Sequence, residues 1–321
     1  MSAYAVVDSG TTTTRLRVWR DGRVAWSGSR QAGARDTAID GHTGKVVAAL
    51  RSLLDECGTA PAAIVCSGMI TSNLGLYELP HLPAPAGLDD LAAGIRQRAF
   101  PEVGPVTLSF VPGVKTPPSG GLEGLVTGDV LRGEEAEVAG LHPRLALGRD
   151  SVYLHVGSHH KAIDVDAEGR ILASRTAITG ELLAAVTGHT VLRSSVVPLE
   201  DLELDLEAAL AGASAAREHG VGRALFLVRV GEQLAGEPRD RMTGYLLGAL
   251  ASLDLDLLAA AEPDTPVVLY GGGLFVRVLA ALLPEHGHAD VRVVEPEAAD
   301  EAAARGAVRL YERARELGVA A

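Results

Sequence analysis

The sequence predicts an α/β protein built twice over, in two successive halves, and three observations carry that expectation. An apolar strand, a turn of Gly with Ser or Thr, and a second strand closed by an acidic Gly hairpin occur at residues 4–24 and again at 152–171. Each half reads strand–strand–strand–helix–strand–helix, which is not the strict strand–helix alternation of a Rossmann sheet. At 321 residues the chain is long enough for two domains, each with its own core.

The elements follow in order. Strands are expected near 4–8, 14–20 and 23–29, then a helix near 43–57, a buried strand at 63–66 and a helix near 88–98. A strand at 106–111 runs into 113–121, where Lys115-Thr116-Pro117-Pro118-Ser119-Gly120-Gly121 is the most loop-like stretch of the chain and reads as mobile. A helix over 133–141 leads to a crossing at 143–150, read as a hinge. The first lobe is therefore expected at 1–145 and the second at 146–321. In the second, strands near 152–156, 161–165 and 170–175 precede helices near 180–190, 204–218 and 239–260. A buried strand at 266–270 ends in Gly271-Gly272-Gly273, and a helix at 274–284, a strand at 291–294 and a solvated helix at 298–317 complete the chain.

Composition narrows the partners. Hydrophobic residues make up 47% and charged residues 22%, the balance of a folded globular protein. A net charge of -12 offers no basic surface for nucleic acid or anionic membrane, so neither is expected as a partner. No basic N-terminal segment precedes the first strand, and no apolar run reaches the roughly 18 residues that span a bilayer, so a cytoplasmic protein is expected. Cys57 and Cys66 lack partners at metal-ligand spacing and read as core or near-core thiols. A homo-oligomer is compatible with the sequence, which sets no oligomeric state.

Turns of small residues let backbone N–H groups approach an anion, and hydroxyls add donors. Gly10, Thr11 and Thr12 in the first half, and Gly157 and Ser158 in the second, are therefore candidates to grip one polyphosphate, pointing to an ATP-using enzyme with a cleft. Lys161 either reaches the same phosphates or is a solvated strand residue, and His159 is a candidate contact without metal-ligand spacing. Arg132 and Arg175 are candidate clamps for a substrate carboxylate or members of salt bridges. Ser72 is a candidate substrate contact.

The order of elements resembles the duplicated, ribonuclease-H-like fold of the actin, Hsp70 and sugar-kinase superfamily, two lobes with a cleft between them. The motifs Ser67-Gly68-Met69-Ile70-Thr71-Ser72, Leu79-Pro80-His81-Leu82, Val111-Pro112-Gly113, Arg132-Gly133-Glu134-Glu135, Gly157-Ser158-His159-His160-Lys161 and Arg175-Thr176-Ala177-Ile178-Thr179-Gly180-Glu181-Leu182 stand in an order similar to that of the 2-dehydro-3-deoxygalactonokinase family. The chain departs from that family's patterns at Ser9, at Ser158 and His160, at Ala162, and at Gly271-Gly272-Gly273-Leu274.

The resemblance implies an ATP-dependent carbohydrate kinase that phosphorylates the terminal hydroxyl of 2-dehydro-3-deoxygalactonate in galactonate catabolism. It implies Mg²⁺ held through water by Asp8, an ion that keeps several waters and takes few carboxylates; the alternative is a turn-capping Asp. Gly271, Gly272 and Gly273 would hold the nucleoside. The general base is expected in the acidic cluster 129–135, with Glu134 ranked before Asp129 and Glu135, and helix capping as the alternative for each. Two other readings stay open: the same chemistry on a different sugar or sugar acid, and a nucleotide-binding protein without turnover.

Overall fold

The computed structural model describes residues 3–320, which form two compact units. The first comprises Met1–Arg149, Val165–Ser174 and Glu297–Ala321, the second Asp150–Asp164 and Arg175–Pro296. The second half of the sequence is thus not one unit: the end of a hairpin and the last helix count with the first.

In the first unit, β1 (Tyr4–Ser9), β2 (Thr14–Arg20) and β3 (Arg23–Arg30) precede α1 (Ala34–Asp40), α2 (Gly44–Glu56) and β4 (Ala63–Gly68). Then come β5 (Leu82–Pro83), α3 (Leu88–Gly94), β6 (Arg96–Ala99), β7 (Thr107–Phe110), β8 (Val114–Thr116), β9 (Asp129–Leu131) and α4 (Glu134–Leu145). Six strands form one sheet in the order β3-β2-β1-β4-β7-β6, with β1 antiparallel to β2 and parallel to β4. Ala5, Val7, Leu16, Val18, Cys66 and Phe110 face α2, where Leu50 and Leu53 close a core. The helix expected over 88–98 ends at Gly94, because 96–99 pairs antiparallel with β7. The stretch expected as a mobile loop contains β8, the middle strand of a second sheet, β5-β8-β9.

The second half of the chain carries β10 (Ser151–Val156), β11 (His160–Val165) and β12 (Ile171–Ala177), of which residues 165 and 171–174 count with the first unit, followed by α5 (Thr179–His189), α6 (Leu206–His219), α7 (Val221–Val230), α8 (Arg239–Ala251), β13 (Val267–Gly271), α9 (Leu274–Glu285) and β14 (Val291–Val293). Their sheet runs β12-β11-β10-β13-β14, with β10, β13 and β14 parallel. Val152, Leu154 and Val156 alternate onto the core with Leu246, Leu250, Val278 and Leu282. The helix expected over 239–260 is α-helical to Ala251 and continues as a 3₁₀ segment, Ser252–Leu258.

The last helix, α10 (Pro296–Glu316), lies in the first unit and is not simply solvated. The Arg305 guanidinium stacks 4.7 Å from the Trp19 ring centroid, and buried Arg17 donates to Asp300 at 2.5 Å. Where α10 meets α4, a Cβ on Gly306 would press on the Ala136 carbonyl and one on Gly140 on that of Ala302. Forcing extra volume into such a contact costs about 2 kcal/mol. Gly306→Ala should therefore lower the melting temperature of the first unit by roughly 5 °C, measured by differential scanning calorimetry; an unchanged Tm would show that the two helices separate without cost.

Candidate active site

The turn after β1 is fastened by its own bonds. Gly10 N–H donates to the Thr13 carbonyl at 2.9 Å, and the Gly10 and Thr11 carbonyls accept from Ala34 and Arg35 N–H at 3.2 and 2.8 Å. Behind it the Ser9 and Thr14 hydroxyls lie 3.0 Å apart, and Thr14 donates to the Ala32 carbonyl. The expectation that Gly10 offers its N–H to phosphate is corrected, since that N–H closes the turn. Half-exposed Thr11 and exposed Thr12 are the members that face outward.

Asp8 sits at the end of β1, in register with Arg15 on one side and Ser67 on the other. Gly68, at φ 83°, brings β4 so close that a Cβ there would lie 3.1 Å from Asp8 Oδ1 and closer still to the Ser9 carbonyl. Burial pushes the Asp8 carboxyl above its ordinary value; Glu137 and Glu134 push it the same way, while Arg17 and Arg15 pull it down. Asp8 and the two carboxylates of the first turns of α4 thus share one electrostatic neighbourhood. Beside it, Ser67 is fully buried and its Oγ has no partner among the described residues.

The segment 129–135 spreads over three environments. Asp129 lies in β9, opposite Thr116, and not at a helix start. Glu134 opens α4 and accepts the Arg132 N–H at 3.2 Å. Glu135 is buried and takes the Gly133 N–H on both oxygens, at 2.9 and 2.8 Å. Arg132 donates to the Thr71 carbonyl and hydroxyl at 2.6 and 2.7 Å and to the Leu79 carbonyl at 2.7 Å, with His81 Nδ1 at 3.3 Å. Its guanidinium therefore staples the 69–81 segment to α4, and this role replaces the expected carboxylate clamp.

Two other expected substrate contacts carry local bonds instead. Ser72 donates to the Met69 carbonyl at 2.7 Å and accepts the Leu74 N–H, bracing the bend after the 3₁₀ turn Met69–Thr71. Arg175 sets both arms of its fork on Asp164 at 2.7 Å and its Nε on the Leu257 carbonyl at 2.6 Å.

In the second unit, two turns lie at the ends of neighbouring parallel strands. Val156, the last residue of β10, is in register with Gly271 of β13. Gly271, at φ 121°, passes so near the Val156 carbonyl that no Cβ fits, and Gly272 N–H donates to that carbonyl at 3.3 Å. Gly157, Ser158, Gly272 and Gly273 are all exposed, and a Cβ at Gly272 or Gly273 would meet nothing within 4 Å. His159 is half-buried, with Nε2 3.3 Å from Glu181, and Lys161 is buried on β11. Among the described residues no three His, Cys, Asp or Glu side chains converge to ligate a metal, and no helix is long and apolar enough to cross a membrane.

Comparison with known proteins follows the same architecture. The family model of 2-keto-3-deoxy-galactonokinase matches residues 8–310. A Rhizobium meliloti (strain 1021) protein assigned as a 2-dehydro-3-deoxygalactonokinase is 28% identical over 319 residues, 95% of this chain and 96% of its own. The Escherichia coli (strain K12) 2-dehydro-3-deoxygalactonokinase is 26% identical over 257 residues, 78% of this chain and 79% of its own. A solved Sinorhizobium meliloti structure with the same assignment superposes with a TM-score of 0.76 at 26% identity, covering 99% of this chain and 98% of that one.

The raised Asp8 carboxyl has a consequence for stability. Its contribution to folding is fully present below the ordinary carboxylate pKa and lost as pH rises through the raised one. Asp8→Asn is neutral at every pH and keeps that contribution, so its Tm should exceed the wild type's at about pH 8 and converge with it toward about pH 3. Thermal melts across pH check this; a wild type more stable than the variant at high pH would show that Arg15 and Arg17 outweigh burial.

Proposed function

The chain belongs to the 2-keto-3-deoxy-galactonokinase family and is therefore a kinase, and from that premise we propose that it transfers the γ-phosphate of ATP to the terminal hydroxyl of 2-dehydro-3-deoxygalactonate. The observation that carries the division of roles is the shared neighbourhood of Asp8 and the carboxylates at the start of α4. Phosphoryl transfer asks a protein mainly for positioning, charge neutralisation and a carboxylate to take the hydroxyl proton.

In this reading the second unit binds the nucleotide. The exposed turn Gly157–Ser158 takes phosphate oxygens, and Gly272 and Gly273, with open space where side chains would stand, take the nucleoside. Within the first unit Thr11 and Thr12 face outward from the turn after β1, and Asp8 stands with the carboxylates at the start of α4. Asp8 fits Mg²⁺ held through water, since it is one partly exposed carboxylate in an acidic neighbourhood rather than a cage of ligands. Magnesium, when bound, neutralises charge on the phosphoryl oxygens. Glu134 accepts the proton of the attacking hydroxyl; the Arg132 N–H on its Oε2 orients the carboxylate. Glu135, buried and held by Gly133, sets the start of α4 rather than the chemistry.

A coupled ADP-release assay across 2-keto-3-deoxy sugar acids and simple sugars tests the acceptor. We expect 2-dehydro-3-deoxygalactonate to give a kcat/KM at least about tenfold above the others, roughly the discrimination that a few specific contacts supply; preferred turnover of another sugar would overturn the acceptor and leave the kinase standing. With that substrate, Glu134→Gln should lower kcat by a factor of roughly 10² to 10⁴ with little change in ATP KM, while Asp129→Asn loses much less. A Glu134→Gln enzyme that keeps its kcat beside an inactive Asp129→Asn would transfer the role of base to Asp129.

A further inference from the structure

Directly behind the second turn lies a buried polar group that the reaction does not use. His160 follows the turn by one residue and opens β11, with its ring pointing into the core of the second unit. Its Nδ1 lies 2.6 Å from Oδ2 of Asp254, whose other oxygen accepts the Thr179 hydroxyl at 2.6 Å. All three residues are fully buried. Nε2 has no hydrogen-bond partner among the described residues; the ring instead meets the edge of Phe275, centroid to centroid 4.9 Å at an interplanar angle of 84°.

These four residues come from four separate elements. His160 belongs to the second turn's strand, Thr179 is the first residue of α5, Asp254 lies in the 3₁₀ segment after α8, and Phe275 is the second residue of the helix that follows Gly271–Gly273. The turn is tied to α5 a second time, because the Ser158 carbonyl accepts the Glu181 N–H at 3.1 Å and a Cβ on Gly180 would press on the Gly157 carbonyl. Burying a carboxylate is costly unless each oxygen is given a donor, and short charge-assisted bonds hold their partners in one geometry.

We infer that the buried His160–Asp254–Thr179 group is a positioning device, which sets the Gly157–Ser158 backbone for the phosphates of the nucleotide. The inference rests on the reading that this turn takes phosphate. A fixed backbone loses less freedom on binding, so the device acts on affinity for the phosphates and leaves the nucleoside contacts at Gly272 and Gly273 alone.

Titration calorimetry with ADP and with adenosine separates these contributions. His160→Leu fills the space but removes the donor, and should weaken ADP about tenfold, the scale of one hydrogen bond to a charged group, with adenosine affinity held within about twofold. His160→Asn places its amide nitrogen the same number of bonds from Cα as Nδ1, and should recover most of the ADP affinity. Where His160→Leu fails to fold, Thr179→Val, nearly the same shape without the donor, carries the test and should weaken ADP alone. Equal losses for ADP and adenosine, or unchanged ADP affinity in the folded variants, would overturn the inference. A wild-type protein that binds ADP no more tightly than adenosine would instead overturn the phosphate reading of the turn, and the inference with it.

Discussion

The structure depends on one pairing, made once in each unit: the first strand of the opening hairpin lies parallel to a strand that arrives much later in the chain, β1 beside β4 and β10 beside β13. Parallel neighbours end at the same edge of a sheet, so the residues that leave them meet there. In the first unit this puts Asp8 beside Ser67, with Gly68 against the Ser9 carbonyl. In the second it puts Gly271 against Val156 and brings the two exposed turns together. Sheets of this kind are covered on both faces, and the near-continuous burial of β1, β4, β10 and β13 follows from that cover.

Cover on both faces forces charged groups into enclosed positions, and each is given a specific partner. Arg132 is sheathed in carbonyls and a hydroxyl, Glu135 holds a backbone N–H, and Arg17 reaches Asp300 of α10. Asp8 is the exception in kind, because burial and two acidic neighbours outweigh the two arginines near it. The helix α10 reaches this region from the far end of the chain, supplying Asp300 to Arg17 and packing Gly306 against the Ala136 carbonyl of α4.

The polar residues around the candidate site divide by what their atoms already hold. Ser72, Arg132 and Arg175 have the chemistry to bind a sugar acid, yet their donors serve carbonyls, hydroxyls and a carboxylate of the protein itself. The exposed backbone of 157–158 and 272–273, and the hydroxyl residues Thr11 and Thr12, are the parts presented outward.

The sequence by itself determined the duplicated plan, most of the strands and long helices, the two small-residue turns and the family. Each of these is written in local periodicity or in contiguous motifs, which need no knowledge of distant contacts. It did not reveal α1, β6, β9 or α7, which are short or take their form from a neighbour, nor the strand inside the Pro- and Gly-rich stretch at 114–116, stabilised by pairing with β5 and β9. Tertiary structure alone decided which polar groups were already engaged, that the last helix serves the first unit, and that His160 meets Asp254, 94 positions further along the chain. A side chain's residue type states what bonds it can make; only the packed chain brings the partner that uses them.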